Sequence, residues 1–146
     1  MTGQPIRVLF VCTHNSARSQ IAEALLERDG GGAFDVESAG TEVTAVNPYT
    51  IRALAELEID WSDARSKSVE AFLGQPFDYL ITVCDNAREA CPVFPGARRS
   101  LHWSLEDPSE VEGSDEEKLA AFRATATDIE ARLRSFIEEA QAVRPV

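Results

Sequence analysis

The stretch Val8–Leu26, VLFVCTHNSARSQIAEALL, changes character twice. An apolar run stops at Cys12, small and polar residues follow, and a helical pattern then begins with Ile21, Ala22, Ala24 and Leu25 on its inner side. IRVLFV (6–11) predicts a buried strand, and a helix is expected from about Ser16 to Glu27. The loop between them leaves several backbone N–H groups at a helix N-terminus without intrahelical partners. Together with the helix dipole they form a seat for a tetrahedral oxyanion. Arg18 is placed to cover the remaining oxygens with a forked pair of charge-assisted bonds. Cys12, at the base of the seat, feels the same field. A thiol there drops from about 8.5 to roughly 3.5–7.5 and attacks as thiolate. Ser16 or Ser19 is the candidate to donate a hydrogen bond to that sulfur. The bland alternative makes Cys12 a core residue capping a strand and Arg18 a solvated helix residue. The strand before the loop and the helix after it favour the chemical reading.

Outward from this stretch the chain alternates strands and helices. GGG at 30–32 breaks the first helix, and FDVESAG (34–40) alternates as a second strand closed by Gly40. Asn47 and Pro48 read as N-cap and first helical residue of the next helix. SVEAFLGQP (68–76) suggests a short helix, FDYLITVC (77–84) a third strand and RRSLHWSL (98–105) a weaker fourth. Ser114 and Glu117 form a capping box for a long last helix, whose stripe of Leu119, Phe122, Ile129, Leu133, Phe136 and Ile137 is core. The order implies an α/β fold, a single domain over 1–146 with a parallel sheet of about four strands and helices on both faces. Ligands in such sheets bind at the carboxyl ends of strands. Cys12 and Cys84 both fall there.

Composition sets bounds. The 146 residues, 44% hydrophobic and 27% charged, are ordinary for a globular domain. A net charge of −11 opposes a nucleic-acid footprint, which needs a basic face. No apolar run approaches the ~18 residues of a membrane span, and MTGQPIRVLF lacks the regions of a signal peptide, so a cytoplasmic protein is expected. Three cysteines in a reducing compartment point to catalysis, redox chemistry or metal binding rather than a disulfide framework.

VCTHNSARSQIAEALL resembles the phosphate-binding loop of the low-molecular-weight tyrosine phosphatase superfamily, and most closely its thioredoxin-coupled arsenate reductases. The resemblance extends to VCDNAREACPVFPG (83–96) and HWSLEDPSE (102–110), almost the whole chain. It implies that Thr13, His14, Asn15, Ser16, Ala17, Arg18 and Ser19 bind the oxyanion, that Cys12 is the nucleophile, and that Asp107, followed by Pro108, is the general acid. The adjacent Glu106 is not. It further implies arsenate reduction through Cys84 and then Cys91 as resolving thiols, with thioredoxin as reductant, no cofactor, no metal, and a monomer. A phosphatase acting on phosphotyrosine or small aryl phosphates is the alternative, and a module that merely binds As(III) through thiols is a third. Were residues 84–91 helical when reduced, the two cysteines would be ~10 Å apart along the axis, whereas a disulfide needs Cα atoms within ~7 Å, so the segment would have to unwind. Pro92 and Pro95 would limit helix propagation beyond it. A zinc site from Cys84, Cys91 and His102 competes, but Cys-x6-Cys is not a usual zinc spacing.

Some members carry a further cysteine where this chain has Ala17. His14 lines the pocket or faces solvent, and His102 and Trp103 read as packing residues. Some relatives also bind potassium near the loop through an Asn, a Glu and an Asp. Asn15 and Glu23 match the first two, but Lys67 stands in place of the Asp. Either its ammonium replaces the ion by pairing with Glu23 and bonding Asn15, or it is a solvated surface lysine.

Overall fold

The computed structural model describes residues 4–83 and 97–143. Strands β1 (Ile6–Cys12), β2 (Phe34–Gly40), β3 (Phe77–Thr82) and β4 (Ala97–His102) form one parallel sheet in the order β2-β1-β3-β4. The order reverses between β2 and β3, on either side of β1. The carboxyl end of β1, at Cys12, is therefore the topological switch point where such sheets bind ligands. Among the described residues, helices α1 (Arg18–Gly30), α2 (Pro48–Glu56) and α3 (Asp115–Val143) complete the regular structure, with short 3-10 turns between.

β1 is buried on both alternating sets of side chains, Val8 and Phe10 on one and Leu9 and Val11 on the other, so both faces of the sheet are covered. Phe136 of α3 packs against Phe34, Tyr79 and Trp103, and Trp103 stacks on Phe10. Trp103 is thus a packing residue, as its sequence setting suggested. The α3 stripe is core, with Ile137 half-buried at its edge. Residues Ser19–Leu26 of α1 are all buried, so this helix is enclosed rather than amphipathic.

Local signals hold at several ends. The Asn47 side chain accepts from Tyr49 N–H with Pro48 at the first helical position. Ser114 and Glu117 exchange two bonds of 3.1 Å in a capping box. Other ends differ from expectation. The 68–76 helix shrinks to one 3-10 turn, Val69–Phe72, because Leu73 turns extended and Gly74 takes φ +84°. β4 stops at His102, and the chain then bends so that Leu105 O meets Arg18. α1 starts at Arg18, two residues later than expected, and runs to Gly30 before Gly31 leaves it at φ +56°. β3 ends at Thr82; Cys84 and Cys91 lie outside the described residues, as does any helix between them.

Candidate active site

Residues 13–17 delay α1 because their backbone is held from outside. The Cys12 carbonyl accepts from Thr41 N–H (3.2 Å) and that of Thr13 from Glu42 N–H (2.7 Å). The His14 carbonyl accepts from Ser66 Oγ (2.5 Å), and that of Asn15 from Gln20 Nε2 and Ser66 Oγ (both 3.1 Å). The Ser16 carbonyl takes Asn47 N–H (3.0 Å) and the buried Thr50 hydroxyl (2.8 Å). A planar trans peptide points its N–H opposite to its C=O. Tying these carbonyls outward turns the N–H groups of residues 13–17 to the other side. Asn15 shows the result, its N–H directed at Cys12 Sγ at 3.3 Å. Its own backbone is left-handed, φ +53°, a conformation Asn tolerates better than most side chains. Gly40 makes the wrap possible, since a Cβ there would stand 2.7 Å from Thr13 O and 2.8 Å from Asn15 N.

Cys12 is buried, and its sulfur lies 2.9 Å from Ser19 Oγ. Of the two serines expected to support a thiolate, Ser19 is the one in contact; Ser16 instead contributes its carbonyl to the wrap. Ala17 immediately precedes α1, with no side-chain cap on the helix N-terminus, so its first N–H groups remain available. The exposed His14 side chain faces solvent and contributes backbone alone.

Arg18 and Asp107 meet over this loop. Arg18 Nη1 donates to Leu105 O (3.1 Å), and Nη2 lies 3.5 Å from Asp107 Oδ2. Arg18 Nε is buried with no acceptor among the described residues. A buried donor left in that state costs about 1–3 kcal/mol, and an oxyanion on the loop would supply the acceptor. The other oxygen of Asp107, Oδ1, is fixed by the N–H and hydroxyl of Ser109 (2.9 and 2.7 Å). Oδ2 is the oxygen that faces Arg18. His102 bonds Thr82 Oγ1 at 2.6 Å at the carboxyl end of the edge strand β4, separated from β1 by β3.

Behind the loop, Asn15 Nδ2 donates to Ser19 Oγ (2.8 Å) and Ser38 Oγ (2.9 Å), and Ser38 donates to Glu23 Oε1 (2.5 Å). The Lys67 ammonium lies 3.3 Å from Glu23 and 3.1 Å from Glu37. Its expected pairing with Glu23 is present, but the bond to Asn15 comes from the Lys67 backbone N–H (2.8 Å), not the ammonium. A potassium ion held by Glu23 would compete with that ammonium, so the residues present do not fit the cation site of the resembling reductases. Burial pushes the Glu23 carboxyl up to about 7, against the opposing pull of Lys67 and Ser38. Among the described residues no cluster of His, Cys, Asp and Glu suits a metal ion.

Sequence reading missed Gln20, Ser38, Thr50, Trp61 and Ser66, all in this scaffold. Only Gln20 left a signal, a polar side chain between the Arg18 clamp and the apolar face of α1. The others come from distant segments.

Residues 7–145 match the low molecular weight phosphotyrosine protein phosphatase family. The chain belongs to this family. Within it, the chain is 40% identical over 131 residues to an arsenate reductase of Halalkalibacterium halodurans, covering 90% of this chain and 94% of that protein. It is 35% identical to the arsenate reductase of Bacillus subtilis over the same shares. A solved structure of an arsenate reductase in a phosphate-binding state superimposes with a TM-score of 0.78 at 31% identity, covering 92% of this chain and 98% of the other. A thioredoxin-dependent arsenate reductase of Corynebacterium glutamicum gives 0.70 at 30%, covering 98% of this chain and 66% of the other.

Proposed function

We propose that this chain is an arsenate reductase working through a cysteine relay. Cys12 thiolate attacks arsenic while Asp107 protonates the departing oxygen as water. Cys84 thiolate then attacks the Cys12 sulfur. An S–S bond forms, the S–As bond breaks, and its electron pair stays on arsenic, which leaves as arsenite. Cys91 attacks Cys84, frees Cys12, and leaves a Cys84–Cys91 disulfide for a thioredoxin dithiol to reduce. The electrons balance, since two thiols supply the two that arsenic takes up. The observation that carries this reading is the loop whose carbonyls are tied outward, with the Asn15 N–H directed at Cys12 Sγ and the helix that follows opening on Arg18, paired with Asp107. The Cys84/Cys91 pair and the names of the relatives support reduction over hydrolysis. We take 1–146 as one domain that acts as a cytoplasmic monomer, without nucleic acid or membrane. None of the described helices is long and apolar enough to cross a bilayer.

The same loop, thiolate and acid serve a phosphomonoester, and the family match favours some aryl phosphatase activity beside reduction. The test is a coupled assay with NADPH, thioredoxin reductase and thioredoxin. NADPH oxidation that depends on arsenate, and that Cys84→Ser and Cys91→Ser each abolish while phosphatase activity persists, is the expected result. NADPH oxidation indifferent to arsenate refutes the proposal.

A further inference from the structure

We infer that Trp61 and Gln20 are positioning residues that fix the polarity of the hydrogen bonds reaching Cys12, so that the sulfur receives a hydrogen bond and is kept as thiolate. The inference rests on Cys12 being the nucleophile. Trp61 Nε1–H donates to Gln20 Oε1 at 2.8 Å, and an indole nitrogen can only donate. The fully buried Gln20 amide is thereby oriented, with Nε2 toward Asn15 Oδ1 (2.9 Å), Asn15 O (3.1 Å) and Arg65 O (2.9 Å). Turned over, it would set its NH2 against the indole N–H and its oxygen against three other oxygens.

Asn15 Oδ1 receives Gln20 Nε2 and the Lys67 backbone N–H, both donors, so the Asn15 amide is oriented in its turn. Its Nδ2 hydrogens go to Ser19 Oγ and Ser38 Oγ. Ser38 passes its own hydrogen to Glu23 Oε1. Ser19, having accepted from Asn15, has one hydrogen left, and Cys12 Sγ lies 2.9 Å away. Every step from the indole to the sulfur thus runs one way. A hydrogen bond donated to the charged form of a group favours that form. The chain also gives the Gln20 amide, with 1% exposure, partners for both its oxygen and its nitrogen, the tryptophan coming from a segment without regular secondary structure.

The test follows alkylation of Cys12 by iodoacetamide against pH, in a Cys84→Ser/Cys91→Ser background where Cys12 is the only thiol. The background protein should be half-ionised well below the ordinary ~8.5 of a cysteine. Trp61→Phe keeps a ring and removes the N–H; Gln20→Met keeps the length and removes the amide. Each should raise the pH of half-ionisation by roughly half to one unit, slowing alkylation by roughly three- to tenfold at pH values well below half-ionisation. Ser19→Ala sets the upper limit. Arg28→Ala, which cuts a surface tie between α1 and α3, should lower the melting temperature without moving the profile. An ordinary thiol in the background protein refutes Cys12 as a poised nucleophile. A depressed profile there that Trp61→Phe and Gln20→Met leave in place overturns the polarity inference, whatever happens to stability. Should Gln20→Met not fold, Trp61→Phe decides alone.

Discussion

Glu23→Gln should change how stability depends on pH, in a direction set by burial. The Glu23 side chain is 9% exposed, and its carboxyl rises from the ordinary 4.5 to about 7 chiefly because burial penalises the charged form. The folded protein therefore keeps a proton that the unfolded chain gives up near 4.5. Between those values the native state binds more protons, so unfolding free energy falls as pH rises and levels off above about 7. Ionising a group so displaced costs about 3 kcal/mol. The carboxylates held below their usual range, Glu56, Asp60, Asp115 and Glu117, lie on the surface and contribute at lower pH, leaving the interval above the ordinary carboxylate range to Glu23 and to Glu27, whose carboxyl is also raised by burial. Gln keeps an oxygen for Ser38 and removes the titration. Urea unfolding at half-unit steps from pH 5 to 8 should show the parent losing stability and Glu23→Gln losing distinctly less, the remainder belonging to Glu27. Parallel slopes would refute the reasoning, since the decline would then belong to other groups.

Asp107→Asn should slow phosphoester cleavage by roughly 10²–10⁴-fold, the usual size of general acid catalysis, and a p-nitrophenyl phosphate assay with an unchanged rate would exclude it as the proton donor. Gly40→Ala forces a Cβ against Thr13 O and Asn15 N, both backbone, so thermal denaturation should show a loss of about 1–3 kcal/mol together with weaker phosphate binding by calorimetry. Potassium titrated against sodium at fixed ionic strength should leave stability and phosphate affinity unchanged, because the Lys67 ammonium already lies between Glu23 and Glu37, whereas Lys67→Asp should gain a potassium response. A potassium-specific gain in the parent would contradict that account.

The parts of this site legible in the sequence are those built from near neighbours. Strand, loop and helix follow one another from Ile6 to Gly30, so the placing of Cys12 at a strand end and Arg18 at a helix start could be read directly. Asn47 with Pro48, and Ser114 with Glu117, announce their helices by local chemistry. The first residue of α1 could not be placed, because what holds residues 13–17 off the helix comes from 41–50 and from Ser66. Gly40 reads as a strand end, and its close approach to the loop is visible only in three dimensions. The ammonium of Lys67 and its backbone N–H serve different partners, a division that alignment by side chain does not convey. Trp61 carries no motif at all; its meaning lies in a bond to a residue on another segment.

The account stands most directly on the order of sulfur chemistry at Cys12. Cys91→Ser, which keeps the nucleophile and the first resolving thiol, is treated with one equivalent of arsenate and quenched with acid. Peptide mapping then reads the sulfur linkages as released arsenite is quantified. A Cys12–Cys84 disulfide formed in step with one equivalent of arsenite is the predicted result. Arsenite released while Cys12 remains an unmodified thiol would contradict the relay and the role of the loop beneath it.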